Sequence, residues 1–594
     1  MRRSLLLVVA LAVVAVAVPA ARAAQPAGPV GAIDNLTANT VGRTVELRWS
    51  AVRFPGGATD AAVVVERDGR PAGRVAPASP FVDTNVLPGE RHRYAVHAEA
   101  TTGKRQQSWP AASASVQLPA YAIGAATADI TPTGLTNLGG FGLGDGRLFP
   151  DAVVGRGGQA KPAGEHIRAR AMVIDDGRAA VAIAVIETQG MFAAYEDGPW
   201  GLLDMGKRVA KDIPALPADH IIIATDHTHS GPDTIGAWGG VPDSYMKFIA
   251  DQMVGAIEQA FNTRQLANLW EGDSDASDLI YNQACTEALN QSPTPDYPGP
   301  SVCATPGKDG IVRALQARTP SGTPVVTYMA YAAHATAGGG NGIHGDWPQF
   351  VSDAMAAEYG GVGLAMEGAN GGTQPCRPTC AFTEPSNPGT KIKDRKPAIV
   401  ANYMAHVRDA LAHASIVEGP VTGAQEFIRE PITGPAVLAL FTAGQYAGAK
   451  LLRSHESPWV VGTTIRTVVS SVRVGPVVFA GTPGEGFYAI GAGVRRAVGD
   501  RTEVIQLGLA NDQLGYLIAP VGYVPVIAAE VAVNDNIIFN VSPTIGDHVM
   551  CTSIELTKRL GLDAQTPAPC APYNAADAAG DPLGAVPLGG VVAG

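Results

Sequence analysis

The stretch 221–238, Ile221-Ile222-Ile223-Ala224-Thr225-Asp226-His227-Thr228-His229-Ser230-Gly231-Pro232-Asp233-Thr234-Ile235-Gly236-Ala237-Trp238, passes abruptly from apolar to polar. Its first four residues are short-run, apolar and rich in β-branched side chains, which predicts a buried strand. A polar loop with Asp226, His227, His229 and Ser230 follows, closed by Gly231-Pro232. In an open α/β sheet, ligands bind just past the carboxyl ends of strands. Two histidines at i and i+2 in such a loop have the chemistry of metal ligands; an ordinary pair of polar loop histidines is the other reading of the same residues.

On either side of this stretch the chain alternates predicted strands and helices. Segments 168–175, 179–187, 324–332, 464–474 and 477–480 read as strands. Segments 246–262, 347–359, 396–413 and 487–498 have helical spacing. The mixture predicts an α/β (mixed α+β) domain over 121–573. No internal repeat is visible in the sequence, and 574–594 is an Ala/Gly/Pro-rich tail expected to be flexible. Residues 32–118 differ in character. Val45-Glu46-Leu47-Arg48-Trp49, Ala62-Val63-Val64-Val65-Glu66 and Tyr94-Ala95-Val96-His97-Ala98 are short strand-like runs with turn residues between them. They predict a small all-β sandwich ahead of the larger domain. The segment resembles a fibronectin type III domain, which implies Trp49 as a core tryptophan and Leu87-Pro88-Gly89 with Tyr94 as the tyrosine corner. Its expected role is spacing or adhesion, through surface or glycan contact.

The first 23 residues combine Arg2 and Arg3, an apolar run from Leu5 to Val18 and an Ala21-Arg22-Ala23 site. This is the pattern of a signal peptide, and the run is shorter than the ~20 residues a membrane span needs. The expectation is a secreted protein without an integral span. Removing residues 1–23 takes away three arginines and no acids, so the net charge of −11 becomes −14. That sign argues against nucleic acid or an anionic membrane as partner. Six cysteines fall in three near pairs, Cys285/Cys303, Cys376/Cys380 and Cys551/Cys570. Local disulfides are expected in an oxidising compartment, although six cysteines allow fifteen connectivities. There is no G-x-S-x-G, H-E-x-x-H, Walker A or strand-to-helix G-x-G-x-x-G sequence, so serine-hydrolase, zincin and nucleotide readings lose support.

Three segments, Thr127-Ala128-Asp129-Ile130-Thr131-Pro132, Gly164-Glu165-His166-Ile167-Arg168-Ala169-Arg170 and His227-Thr228-His229-Ser230-Gly231-Pro232, resemble the neutral ceramidases in order and spacing. These are exported or surface zinc amidases that split ceramide into sphingosine and fatty acid. The resemblance covers roughly 121–573 and implies one zinc ion per chain. It places the ligands at His227, at His334 in Tyr331-Ala332-Ala333-His334, at Glu485 in Gly481-Thr482-Pro483-Gly484-Glu485, and at Tyr516 in Asp512-Gln513-Leu514-Gly515-Tyr516. His229 is then a supporting residue or proton carrier. Histidine and carboxylate are ordinary zinc ligands; a tyrosine ligand needs the metal's charge to ionise it.

Each position has a plainer reading. His334 also fits a hydrogen-bonded core histidine, Glu485 a partner of a helix dipole, and Tyr516 a half-buried core tyrosine. His166 fits a bond to a backbone carbonyl, Asp346 a helix cap, and Gly139, Gly140 and Gly142 turn glycines. The pattern departs from the family at two places that handle substrate. Gln374, in Asn370-Gly371-Gly372-Thr373-Gln374-Pro375, stands where the family has a serine. Gln283 stands where it has an arginine. Thr373 offers the nearest alternative hydroxyl. The expectation is hydrolysis of a small-molecule or lipid amide, ceramide or a relative, by attack of a zinc-bound water. A zinc hydrolase of a non-lipid substrate and a non-catalytic binding protein that keeps the fold remain the alternatives.

Overall fold

The computed structural model describes residues 29–134, 136–140, 159–160, 165–195, 198–236, 238–282, 308–338, 342–376, 392–434, 437, 445–446, 449–450, 460–461, 464–518 and 539–570. Residues 1–23, for which a signal peptide is expected, and Gln283, Gly142, Cys285, Cys303, Cys380 and residues 574–594 lie outside them. The chain divides into two compact units. One comprises residues 1–39, 45–83 and 91–116, and the other comprises 40–44, 84–90 and 117–594.

The smaller unit is all β. One sheet has the strands Thr37–Val41, Thr44–Arg48 and Phe81–Asp83. The other is built on Ala58–Arg67 and Arg91–Thr102. Alternation puts Val45, Leu47, Val63, Val65, Tyr94 and Val96 inside. Two details differ from the sequence expectation. Trp49 is half-buried rather than in the core, its Nε1–H donating to the Pro77 carbonyl at 3.0 Å. The Tyr94 hydroxyl donates to Asp83 Oδ2 at 2.9 Å, not to a backbone carbonyl as in a tyrosine corner.

The larger unit follows one path three times. Three antiparallel strands are succeeded by a helix, a strand parallel to the third, and a second helix. The first pass is Tyr121–Asp129, Arg168–Asp175, Ala180–Ile186, helix Leu202–Asp212, Ile221–Thr225 and helix Asp243–Asn262. The second is Gln265–Asp275, Ile311–Arg318, Pro324–Tyr331, helix Asp346–Tyr359, Val362–Glu367 and helix Ile392–Ala412. The third is Val421–Pro431, Thr464–Val474, Val477–Gly481, helix Tyr488–Val498, Glu503–Leu507 and helix Ile545–Arg559. The sequence shows no repeat, yet the chain contains one, because what recurs is apolar pattern and connectivity rather than residue identity. Gly124 and Gly272 mark one shared device. A Cβ on Gly124 would lie 2.0 Å from the Ala260 carbonyl, and one on Gly272 2.2 Å from the Ala410 carbonyl. Each glycine lets the closing helix of its pass press against the first strand.

Passes one and two share a nine-stranded sheet, joined where Tyr121–Asp129 pairs antiparallel with Gln265–Asp275. Pass three has a five-stranded sheet of its own. The two sheets meet over a core that includes Ile183, Ile222, Tyr328, Leu364, Phe479 and Leu507. Tyr328 and Phe479 stack edge to face across it, 5.7 Å between centroids. The continuous apolar strands Ala180–Ile186 and Ile221–Thr225 are fully buried, as strands covered on both faces require. The helix Asp243–Asn262 buries Met246, Ile249, Ala250, Met253, Val254 and Ile257, one stripe at helical spacing. Cys551 and Cys570 form the expected disulfide. Cys376 is also disulfide-bonded, with its partner outside the described residues. Among the described residues no helix is long and apolar enough to cross a membrane.

Candidate metal centre

The loops that leave the third and fourth strands of each pass converge. Backbone hydrogen bonds tie them into a ring. His229 N–H donates to Ala335 O at 3.2 Å, Gly371 N–H to Gly486 O at 3.1 Å, and Asn511 N–H to Ile223 O at 2.8 Å. The first bond joins passes one and two, the second two and three, the third three and one. Asn511 strengthens the last, its Oδ1 accepting from Ile223 N–H and its Nδ2 donating to Ile221 O. His227, Leu509 and Asn511 in these loops, and Asp346 at the start of the helix that follows one of them, have φ between +50° and +62°. Non-glycine residues seldom take this conformation, and a surrounding structure must hold them in it.

Within this ring the structure brings His227, His334 and Glu485 together. His334 Nε2 lies 2.9 Å from Glu485 Oε2, and His227 Nε2 lies 3.4 Å from the same oxygen. All three residues are buried. Tyr516 is beside them. Its backbone pairs with that of Glu485 in a two-residue parallel ladder, and its ring centroid is 6.2 Å from that of His334. His229 comes closer than a purely supporting role needs. Its Nε2 is 3.4 Å from His227 Nε2, and the ligand atoms of His227, His229 and His334 all lie within 4.8 Å of one another.

The donor set fits a cation. His227 Nδ1 is 2.7 Å from the Gln189 carbonyl oxygen and His334 Nδ1 is 3.0 Å from that of Thr373. A carbonyl oxygen only accepts, so each Nδ1 carries a hydrogen, and each Nε2 is left either to present a lone pair to a cation or, when protonated, to donate to Glu485. Two bare imidazole nitrogens and a carboxylate oxygen at these distances repel unless positive charge stands between them. Burial works against ionisation of Glu485, but His227 and His334, when protonated on both ring nitrogens, outweigh it and hold the carboxyl well below the usual carboxylate range. The side chains that could hold a metal are His227, His229 and His334, with Glu485 against two of them and Tyr516 alongside.

Two further carboxyl groups lie behind these. Burial, then Glu187, pushes Asp226 well above its ordinary range. Burial, then Asp226 and Glu485, does the same to Glu367. Neither residue is apparent as part of the site from sequence, except that Asp226 adjoins His227 and Glu367 ends a buried strand.

Gln374 is half-buried, and its Oε1 accepts from Thr336 Oγ1 at 2.9 Å. Thr373 meets His334 through its carbonyl oxygen, while its hydroxyl is buried without a partner among the described residues. Asp346 accepts the N–H groups of Ala337 and Gly338, so it fastens the loop after His334 besides bonding to Trp347 N–H. His166 is exposed and paired with the Asp129 carboxylate at 2.8 Å, not with a backbone carbonyl. Gly139 and Gly140 do more than turn the chain. A Cβ on Gly139 would fall 2.6 Å from Gln189 Cγ, and one on Gly140 2.5 Å from His229 Cγ.

Solved structures that share this fold include two ceramidases. One is a ceramidase complexed with C2, with 17% identity, a TM-score of 0.56, and coverage of 76% of this chain and 77% of that one. The other is the neutral ceramidase of Pseudomonas aeruginosa, with 18% identity, a TM-score of 0.55, and coverage of 76% of each chain. No family model and no curated protein matches the chain. The larger unit therefore has the neutral ceramidase fold, recovered here at an identity that establishes architecture alone.

Proposed function

We propose that the chain is an exported zinc-dependent hydrolase of linear amides or esters, ceramide-like in the bond it cleaves. The observation that carries this is the meeting of two imidazole nitrogens and one carboxylate oxygen, from three different loops, inside the fold of known amidases. A divalent ion held there supplies Lewis-acid chemistry, polarising a carbonyl and making water acidic. Glu485 provides the site's anionic charge, and the Gln189 and Thr373 carbonyls fix the tautomers of His227 and His334. His229, close to both other rings, is the residue proposed to move a proton. With Oε1 held by Thr336, Gln374 has its Nε2–H available to donate to a substrate oxygen. Gln283 is assigned a neighbouring polar role on the resemblance alone. The small β unit is proposed as a fibronectin-like module for surface or glycan contact.

Replacing the family's serine and arginine by two glutamines changes both geometry and charge at the substrate. A missing oxyanion donor costs ~3–4 kcal/mol. The expected result is therefore zinc-dependent hydrolysis that is weak on long-chain ceramide and better on a smaller or more polar amide or ester. A panel of N-acyl amides, ceramides and esters, with and without chelator, checks it. Efficient chelator-sensitive ceramide cleavage would contradict the specificity. No turnover by fully metallated protein would favour the binding-protein reading.

The role of His229 has its own test. Gly140 has φ +100° and lies against the His229 ring, so Gly140→Ala both strains the backbone and displaces the ring. Misplacement of about 1 Å costs on the order of a hundredfold, and that loss in kcat is expected with metal content unchanged. Loss of metal as well would put His229 among the ligands.

A further inference from the structure

The three passes end their third strands at Ile186, Tyr331 and Gly481. Each then turns through a backbone hydrogen bond spanning two residues. Thr188 N–H donates to Ile186 O at 2.8 Å, Ala333 N–H to Tyr331 O at 3.0 Å, and Gly484 N–H to Thr482 O at 2.8 Å. The next residues are Gln189, His334 and Glu485. Two of these three equivalent positions carry the grouped ligand atoms. The third carries a carboxamide.

Gln189 is already part of the centre through its backbone, whose oxygen takes Nδ1–H of His227. Its side chain is 2% exposed, and its Oε1 has no partner among the described residues. A buried carboxamide oxygen is normally paired, by protein, water or ligand. The side chain runs under Gly139, where any Cβ would strike its Cβ, Cγ and Cδ at 2.6–3.2 Å. The adjoining Gly140 faces the His229 ring in the same way. One glycine pair thus lies over both the carboxamide and the proposed proton carrier. An acceptor in this place suits a substrate with a hydrogen to donate next to the bond being cut.

We propose that Gln189 is a substrate-binding residue whose side-chain oxygen accepts a hydrogen bond from the N–H of the amide under attack, making the centre prefer amides over matched esters. This rests on the hydrolase reading above. An amide offers that N–H and an ester of the same acyl group does not, so the pair isolates the contact.

The test compares N-octanoylethanolamine with 2-hydroxyethyl octanoate in the wild type, Gln189→Leu and Gln189→Glu, all zinc-loaded. Gln189→Leu keeps the backbone carbonyl that holds His227. It should lower kcat/KM for the amide about tenfold or more, leave the ester within about twofold, and bind zinc as the wild type does. Gln189→Glu retains an acceptor and should recover part of the amide rate. Equal losses on both substrates, or no loss on either, overturn the assignment. Failure of the metallated wild type to turn over both substrates would defeat the hydrolase reading instead. Calorimetric binding of the same pair then decides the Gln189 assignment. Tighter amide than ester binding in the wild type, abolished by Gln189→Leu, supports it; equal binding or none overturns it.

Discussion

Glu485→Gln is expected to lose the metal and, with it, at least about three orders of magnitude in turnover, roughly 4 kcal/mol of transition-state stabilisation. Glu485 Oε2 is the carboxylate oxygen that lies within 2.9 Å of His334 Nε2 and 3.4 Å of His227 Nε2. Burial opposes its charge, which those two rings sustain when protonated. Glutamine keeps the shape and gives His334 a donor, so the fold is expected to survive while the anionic ligand disappears. Metal content after equilibration with zinc, measured beside the melting temperature, separates these effects. One equivalent of tightly held zinc in Glu485→Gln would remove Glu485 from the ligand set.

The second large effect is on stability. Arg170 is 2% exposed and its guanidinium pairs with Glu187 Oε1 at 2.6 Å and Asp353 Oδ1 at 2.7 Å, also donating to the Gly363 carbonyl at 3.1 Å. Arg170→Met would leave Glu187 buried without its counter-ion, next to Asp226. Breaking a buried pair in this way costs about 3–5 kcal/mol, whereas replacing both partners by apolar groups is often neutral. Arg170→Met with Glu187→Leu should accordingly recover much of what Arg170→Met loses. The pH dependence has a definite sign. Burial pushes Glu187 above its ordinary range even with Arg170 beside it, and removing Arg170 pushes it further. A carboxyl whose folded pKa is raised contributes stability that is complete below its unfolded pKa and is lost as pH rises through the folded value. The deficit of Arg170→Met should therefore be smaller near pH 5 than near pH 8. Urea unfolding at both values measures it; a deficit that grows on acidification would mean Glu187 is not the group left stranded.

The strands Arg168–Asp175 and Thr464–Val474 are legible to the residue because, although charged and hydroxyl residues interrupt both, their apolar and β-branched residues recur without a break and Gly-containing turns follow them at Gly177 and Gly475. The helix Ile392–Ala412 starts four residues before the expected 396, with Pro397 inside it rather than at its first turn. The threefold path is invisible in the sequence for a chemical reason. At the turns after the third strands it carries a glutamine, a histidine and a glutamate, so residue identity does not repeat where connectivity does. The centre itself is only partly legible from residue types. The loop after Thr225 announces its histidines, but His334 and Glu485 are 151 residues apart, and only the motif resemblance pairs them. The carbonyls of Gln189 and Thr373 that set the imidazole tautomers are backbone atoms of unremarkable residues, and no side-chain pattern encodes them. The nearness of His229 to His227 likewise depends on the left-handed φ of His227, a property of the folded loop.

The most direct measurement is X-ray absorption at the zinc edge of the protein carrying one equivalent of zinc. The expected spectrum has a first shell of nitrogen and oxygen at ~2.0–2.2 Å, with outer-shell scattering from at least two imidazoles that falls by one ring in His334→Ala. A sulfur shell, a fully hydrated ion, or a spectrum unchanged in His334→Ala would contradict a centre built on His227, His334 and Glu485.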